Sequence, residues 1–317
     1  MRKFDTLYCY IFIPFLLFSC SNESNMSNVQ IKKLDYPSAS AIEYYNGKLY
    51  LMGDDATKIL VLDTSLNIVD SIPLLSYPEN RIPKDIKPDL EASALNADNL
   101  FLFGSGSLSP YRNLGWRLNL TTKDNDSINL EPFYVKAKRL GIEQINVEGA
   151  CFVAGKLLLV NRGNKGYPHN HFIITNDQFW QADSNLQISV ATFNMNRNDT
   201  SQFKGISGLC YAKESDKLIM TVSTEDTKNS YDDGAIGKSY LWIINNASTK
   251  LNAKTISHNR TVDLEYIDAR FKGQKIESAA IIDETDYVIH LVLVADNDDG
   301  SSTVFKMSIN KTTSHAE

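Results

Sequence analysis

The stretch Asn146-Val147-Glu148-Gly149-Ala150-Cys151-Phe152-Val153, followed by Gly155-Lys156-Leu157-Leu158-Leu159-Val160, decides the fold. A small or acidic residue opens an apolar strand, a tight turn follows, and a second apolar strand runs back. The same phrase recurs at Ser40 (SAIEYYNGKLYLMG), Glu91 (EASALNADNLFLFG), Ser207 (SGLCYAKESDKLIMTV) and Glu277 (ESAAIIDETDYVIHLVLV). Its intervals of roughly 50 to 70 residues suit a four-stranded unit with variable loops, the repeat of a β-propeller. Alternation within the runs has period two, not 3.6, so they are strands.

Working outward, the first repeat predicts strands at 40–45, 48–52, 58–62 and 68–74, with Asn46-Gly47 as a hairpin turn. The second and fourth repeats predict last strands at 127–133 and 253–257. The fifth supplies only three strands, while residues 29–34 form a spare strand ahead of the first repeat. The expected fold is therefore all-β, a five-bladed β-propeller closed by the N-terminal strand, a closure that hides sheet edges. Six blades are the alternative. They would need strands in 78–87, which is rich in proline and charge, or in 136–144, which reads as a short helix.

The chain has 317 residues, 43% of them hydrophobic and 22% charged, enough apolar mass for one large all-β domain. A net charge of −6 lacks the basic excess of a nucleic-acid binder. Arg2 and Lys3 precede an apolar run from Leu7 to Phe18, too short to span a bilayer and suited to a signal peptide. The run ends in Leu17-Phe18-Ser19-Cys20, which resembles a bacterial lipobox. The expected layout is a lipoprotein signal at 1–19, a polar tether at 20–27 starting from lipidated Cys20, and one propeller domain at 28–317. That predicts a monomer lipid-anchored in the bacterial cell envelope, at the outer membrane, without spanning the bilayer. Cys151 and Cys210 then remain in the domain. An extracytoplasmic pair invites a disulfide, but each stands three residues after its repeat's opening residue, so two buried free thiols are expected.

In a propeller the first strand of each blade lines the central tunnel. The opening residues Ser40, Glu91, Glu148, Ser207 and Glu277 would thus converge on the axis. Three carboxylates there repel one another unless one keeps its proton or a cation joins them. Every offered donor is oxygen, which implies a hard ion, and Ca²⁺ takes six to eight oxygen ligands. The plainer reading is that each Glu merely starts a strand beside solvent and caps neighbouring N–H groups.

These residues resemble the calcium-activated nucleotidases, the apyrase family of five-bladed propellers, whose central Ca²⁺ is held by Ser, Glu, Glu, Ser and Glu in that order. Lys48-Leu49-Tyr50 with Asp54, Asp55 and Thr57 is similar to that family's "LY…DDRT" phrase. Glu148-Gly149-Ala150-Cys151 is similar to "ESACW", Ser223-Thr224-Glu225-Asp226 to "SEED", and Ile276-Glu277-Ser278 to "YEG". The chain departs from the family at "KGLGKEW", where it reads Lys87-Pro88-Asp89-Leu90-Glu91-Ala92-Ser93. It also has a single Arg162 where the family has an Arg pair. The run 104–107 and Arg81-Ile82-Pro83-Lys84 resemble an uncharacterised group of bacterial propeller lipoproteins.

Lys84, Lys87, Arg112, Arg162, Lys165 and Lys204 fall in or beside loops expected on one face, a cationic rim suited to a small phosphate-bearing anion. The loop Gly104-Ser105-Gly106-Ser107 offers backbone N–H groups to such a ligand, although Gly-Ser loops are commonly plain turns. If the chain is an enzyme, the resemblance implies Ca²⁺-assisted hydrolysis of a phosphoanhydride or phosphoester. Arg112 and Arg162 would then stabilise phosphoryl charge, and Asp54, Asp55 or Glu225 would serve as base. Ser105, Lys87 and Lys204 would contact the ligand. Asp54-Asp55 also reads as a simple turn, and His169 and His171 as a solvated loop. The alternatives are a non-catalytic propeller that binds a ligand or a protein, and a propeller whose calcium is purely structural.

Overall fold

The computed structural model describes residues 29–180, 186–195, 203–225, 236–296 and 300–312. The signal peptide, the tether up to residue 27 and Cys20 lie outside them, as does most of the fourth blade's middle loop. Five separate sheets form five blades, so the six-bladed alternative falls. After β1 (Gln30–Leu34), blade one holds β2 (Ala39–Tyr45), β3 (Lys48–Gly53), β4 (Lys58–Asp63) and β5 (Ile68–Pro73). Blade two holds β6 (Leu90–Asn96), β7 (Asn99–Gly104), β8 (Leu114–Asn119) and β9 (Asn125–Asn129). Blade three holds β10 (Val147–Val153), β11 (Lys156–Asn161), β12 (His171–Thr175) and β13 (Ile188–Phe193). Blade four holds β14 (Lys204–Ala212), β15 (Lys217–Glu225) and β16 (Ile236–Asn245), then a detour through β17 (Thr255–Ile256) to its last strand β18 (Arg260–Asp263). Blade five holds β19 (Ile276–Glu284), β20 (Val288–Asp296) and β21 (Ser302–Asn310).

The hairpins follow from local sequence. Asn46-Gly47 and Ala154-Gly155 both have positive φ at their two central positions, as a type I′ turn between twisted strands requires. Strand β1 pairs antiparallel with β21, from Gln30 opposite Lys306 to Leu34 opposite Ser302. The chain's beginning therefore completes its last blade, as expected. The inner strands β2, β6, β10, β14 and β19 pack in a closed ring. Four apolar clusters fill the gaps between blades, so burial on the two faces of each sheet holds neighbouring blades together.

Two expected strands move. Blade two's last strand stops at Asn129, and Glu131 already begins the helix α1 (Glu131–Arg139). Pro132 favours that change, because proline is tolerated in a helix's first turn, and Phe133 and Tyr134 are buried from the helix instead. Blade four's last strand is β18, not 253–257. The segment β17 pairs parallel with β13 and extends the outer edge of blade three, where Ile256 joins the apolar gap between blades three and four. No helix among the described residues is long and apolar enough to cross a membrane.

Candidate axial site

The site grows from one backbone device repeated five times. In every inner strand the ladder slips by one residue, and the residue that slips out is the opening residue of the repeat. Ser40 lies between the paired Ala39 and Ala41, and Glu91 between Leu90 and Ala92. Glu148 lies between Val147 and Gly149, Ser207 between Ile206 and Gly208, and Glu277 between Ile276 and Ser278. Such a β-bulge bends the strand and re-aims a side chain. Glycine after the bulge lets neighbouring backbones close in. A Cβ on Gly208 would stand 2.5 Å from the Glu277 carbonyl, and one on Gly149 would stand 2.8 Å from the Gly208 Cα.

Two further sets of equivalent positions surround this ring. Asp54, Ser105 and Arg162 each follow a second strand and donate their N–H to Ser38, Asp89 and Asn146, two residues ahead of an opening residue. In blade five Asp296 donates likewise to Lys275. These paired positions bring most of the site's polar side chains to the mouth of the tunnel.

Both serines bridge blades. The Ser40 hydroxyl donates to the Leu90 carbonyl at 2.5 Å, and that of Ser207 to the Ile276 carbonyl at 2.8 Å. Each acceptor immediately precedes the next blade's glutamate. Glu148 accepts from Asn146 Nδ2 at 2.6 Å and pairs with Arg162 Nη1 at 3.2 Å. Arg162 also reaches Ser223 Oγ at 3.1 Å and Glu225 Oε2 at 2.9 Å. Gly205 makes room for it, since a Cβ there would lie 2.1 Å from Arg162 Nε. Glu277 Oε1 pairs with Lys275 Nζ at 2.9 Å, while its Oε2 is buried without a hydrogen-bond partner among the described residues. Lys275 Nζ stands 3.8 Å from Glu225. On the other side, Lys87 sits between Asp54 and Asp89, 2.9 Å from Asp89 Oδ1. Asp89 further binds Arg112 Nη1 at 2.7 Å and Ser105 Oγ at 2.5 Å. Among the described residues, the carboxylates spaced closely enough to share an ion are Asp54, Asp89 and Glu91, with oxygens within 4.8 Å of one another; Glu148 and Glu277, expected beside Glu91, fall outside that group. Glu91 makes no hydrogen bond or ion pair among the described residues.

Of the residues expected to act on a ligand, Arg112 and Arg162 are buried in these ion pairs rather than arrayed on an open rim. Asp55 pairs with Arg81 at 2.8 Å. Glu225 lies between Arg162 and Lys275. Lys204 stands over the Tyr240 ring, 5.3 Å from its centroid. His171 accepts or shares a proton with Tyr167 at 3.0 Å inside blade three. Asp89, Asn146 and Lys275 were not anticipated. Their signal was present in the register, since each stands two residues before an opening residue.

Among the described residues of these ion pairs, six carboxylates (Asp54, Asp89, Glu91, Glu148, Glu225, Glu277) meet four cations (Lys87, Arg112, Arg162, Lys275), an excess of two negative charges. Burial and neighbouring carboxylates push the Asp54 and Glu277 carboxyls up to about 7, against the pull of Lys87 and Lys275. Burial, with Asp89, Asp54 and Glu148 nearby, drives Glu91 well above the ordinary range. Protons thus fill in for missing positive charge. An all-oxygen donor set, an unpartnered buried Glu277 oxygen and an unpartnered Asp54 Oδ1 fit a hard divalent cation.

Three residues beyond the bulge lie Glu43, Cys151 and Cys210. Both thiols are free and buried, and burial pushes both upward in pKa, so they are inert packing groups. Glu43 accepts from Ser93 Oγ at 3.1 Å, and burial raises its carboxyl to about 8 from an ordinary 4.5. The native state therefore holds a proton that the unfolded chain releases between those values, and stability falls as pH rises through that window. Glu43→Gln removes the dependence. Its melting temperature relative to wild type is expected to rise from pH 5 to pH 8, and a difference that stays constant would refute the assignment.

Solved structures similar to this one share only the propeller outline. Glutaminyl cyclase of Myxococcus xanthus is 11% identical with a TM-score of 0.48, covering 90% of this chain and 97% of that one. A DUF4221 family member from Bacteroides vulgatus is 12% identical with a TM-score of 0.40, covering 91% and 100%. At these values neither neighbour's chemistry transfers. No curated protein matches in sequence. The model of the family of unknown function DUF6929 matches residues 35–309, the whole ring apart from the closing strand and the last few residues, and the chain belongs to that family.

Proposed function

We propose that this chain is a calcium-binding propeller that receives a small anionic ligand at the axial mouth. Lipidated Cys20 would tether it to the cell envelope. The observation that carries the proposal is the set of five bulges, one per blade. They single out two serines and three glutamates at equivalent positions of the five inner strands, within a cluster whose described charges are negative by two. Glu91, Glu148 and Glu277 would hold the ion, with Ser40 and Ser207 beside them. The ion would supply the missing positive charge and an attraction for an anion. Arg112 and Arg162 build the walls: Arg112 binds Asp89 and the Lys84 carbonyl, and Arg162 binds Glu148 and Glu225, which favours binding over phosphoryl transfer.

Hydrolysis is the second reading, and Asp54 is what favours it. Burial, with Asp89 and Asp55 nearby, holds its carboxyl above the ordinary range against the pull of Lys87, and one of its oxygens has no partner among the described residues, as suits a general base. Calorimetry with calcium, and inorganic phosphate release from nucleoside di- and triphosphates and phosphate esters with and without chelator, separate the two. Calcium binding without turnover supports the binding reading. Chelator-sensitive turnover lost in Asp54→Asn supports the hydrolase. Absence of calcium binding at millimolar concentrations refutes both.

A further inference from the structure

We propose that Lys275 is a tethered counter-cation that competes with calcium for Glu277 and sets the affinity of the axial site. The inference rests on the calcium reading above. Lys275 occupies the position two residues before an opening residue. The other blades place Ser38, Asp89, Asn146 and Gly205 there, so blade five alone puts a positive charge at this level. Its side chain is 14% exposed, and its ammonium lies 2.9 Å from Glu277 Oε1. Glu277 Oε2 is buried and has no hydrogen-bond partner among the described residues. Half of this carboxylate is thus committed to a cation of the chain, and half is buried without a partner among the described residues.

A divalent ion that takes the second oxygen comes within a few ångströms of the ammonium, and like charges at that distance repel strongly away from bulk water. One of the neighbouring cations must yield. Arg162 is held by Glu148, Ser223 and Glu225 and lies across Gly205, a fixed fork with several partners. Lys275 is a point charge on a flexible stem. It already stands 3.8 Å from Glu225, which offers a second berth. Calcium entry therefore swings the Lys275 ammonium from Glu277 toward Glu225. The work of that displacement keeps the site weak, with dissociation constants of about 0.1–1 mM, as in extracellular calcium modules.

Calcium calorimetry on the purified wild type, Lys275→Met and the control Lys48→Met tests the proposal. Lys48 is an exposed residue at the start of β3. Lys275→Met is expected to bind calcium at least about tenfold more tightly, because removing a charge beside the ion removes a repulsion. Lys48→Met is expected to match wild type. Equal or weaker binding by Lys275→Met overturns the proposal while leaving the calcium site standing. No binding by any of the three proteins overturns the calcium reading and this proposal together. A measurement on wild type guards against a variant that fails to fold. Amine acylation followed by mass spectrometry is expected to label Lys275 more strongly with calcium than with chelator, with Lys48 unchanged. Labelling of Lys275 that stays level or falls with calcium overturns the displacement.

Discussion

Arg162→Met is expected to destabilise the propeller by about 3–5 kcal/mol, the usual cost of removing one partner from a buried ion-pair network. The guanidinium joins blade three's Glu148 to blade four's Glu225 and Ser223, and its side chain is only 8% exposed. Methionine fills much of the same space but leaves both carboxylates without their shared cation. The cluster's excess then grows from two negative charges to three, next to a Glu277 that already has an unpartnered oxygen. Urea unfolding measures the loss. Calcium is expected to recover part of it, since an ion on the axis offsets the same charge. A loss below about 1 kcal/mol, or one indifferent to calcium, would show that Arg162 does not balance the site.

A chain shortened to begin at Asp35 is expected to lose cooperative folding. Strand β1 supplies the edge partner of β21 across five residue pairs; its Leu34 and the preceding Val29 are both buried. Two such side chains stabilise by about 1.5–3 kcal/mol each, and the ladder and the hidden edge add to that. The sum approaches the whole stability of a typical domain, about 5–15 kcal/mol. Without β1, an open edge is left to pair with other chains. Thermal unfolding and size-exclusion chromatography read the result. A folded monomer with an unchanged melting temperature would mean that the ring does not depend on this closure.

How far the sequence carried the reading depends on what each residue's partner was. The bulged residues were legible because apolar pairs of strands flank each of them, so Ser40 and Glu277 announce themselves by register although 237 positions apart is no guide to contact. Strand β1 was legible because blade five ran one strand short. The last strand of blade four was not, since residues 253–257 are as strand-like as β18 and only packing against β13 decides between them. Arg112 and Arg162 are visible as charges on the site's face, and Arg162's partners Glu148 and Glu225 as candidate site residues, but the pairing between them is not. Composition gives the sign of a charge and not whether it is spent. Asp89 escaped notice because it sits in a proline-flanked entry loop with positive φ, and Lys275 because a lysine before a strand is ordinary. Both gain meaning only when the blades are superimposed position by position.

The proposed calcium site needs the five bulges to gather oxygen donors around a cation on the propeller axis. A crystal structure of the protein grown with calcium tests that most directly. The account predicts a strong difference peak on the axis in contact with carboxylate oxygens of Glu91, Glu148 and Glu277. An axis with no ion at saturating calcium, or calcium held only by surface loops away from those three residues, would contradict it.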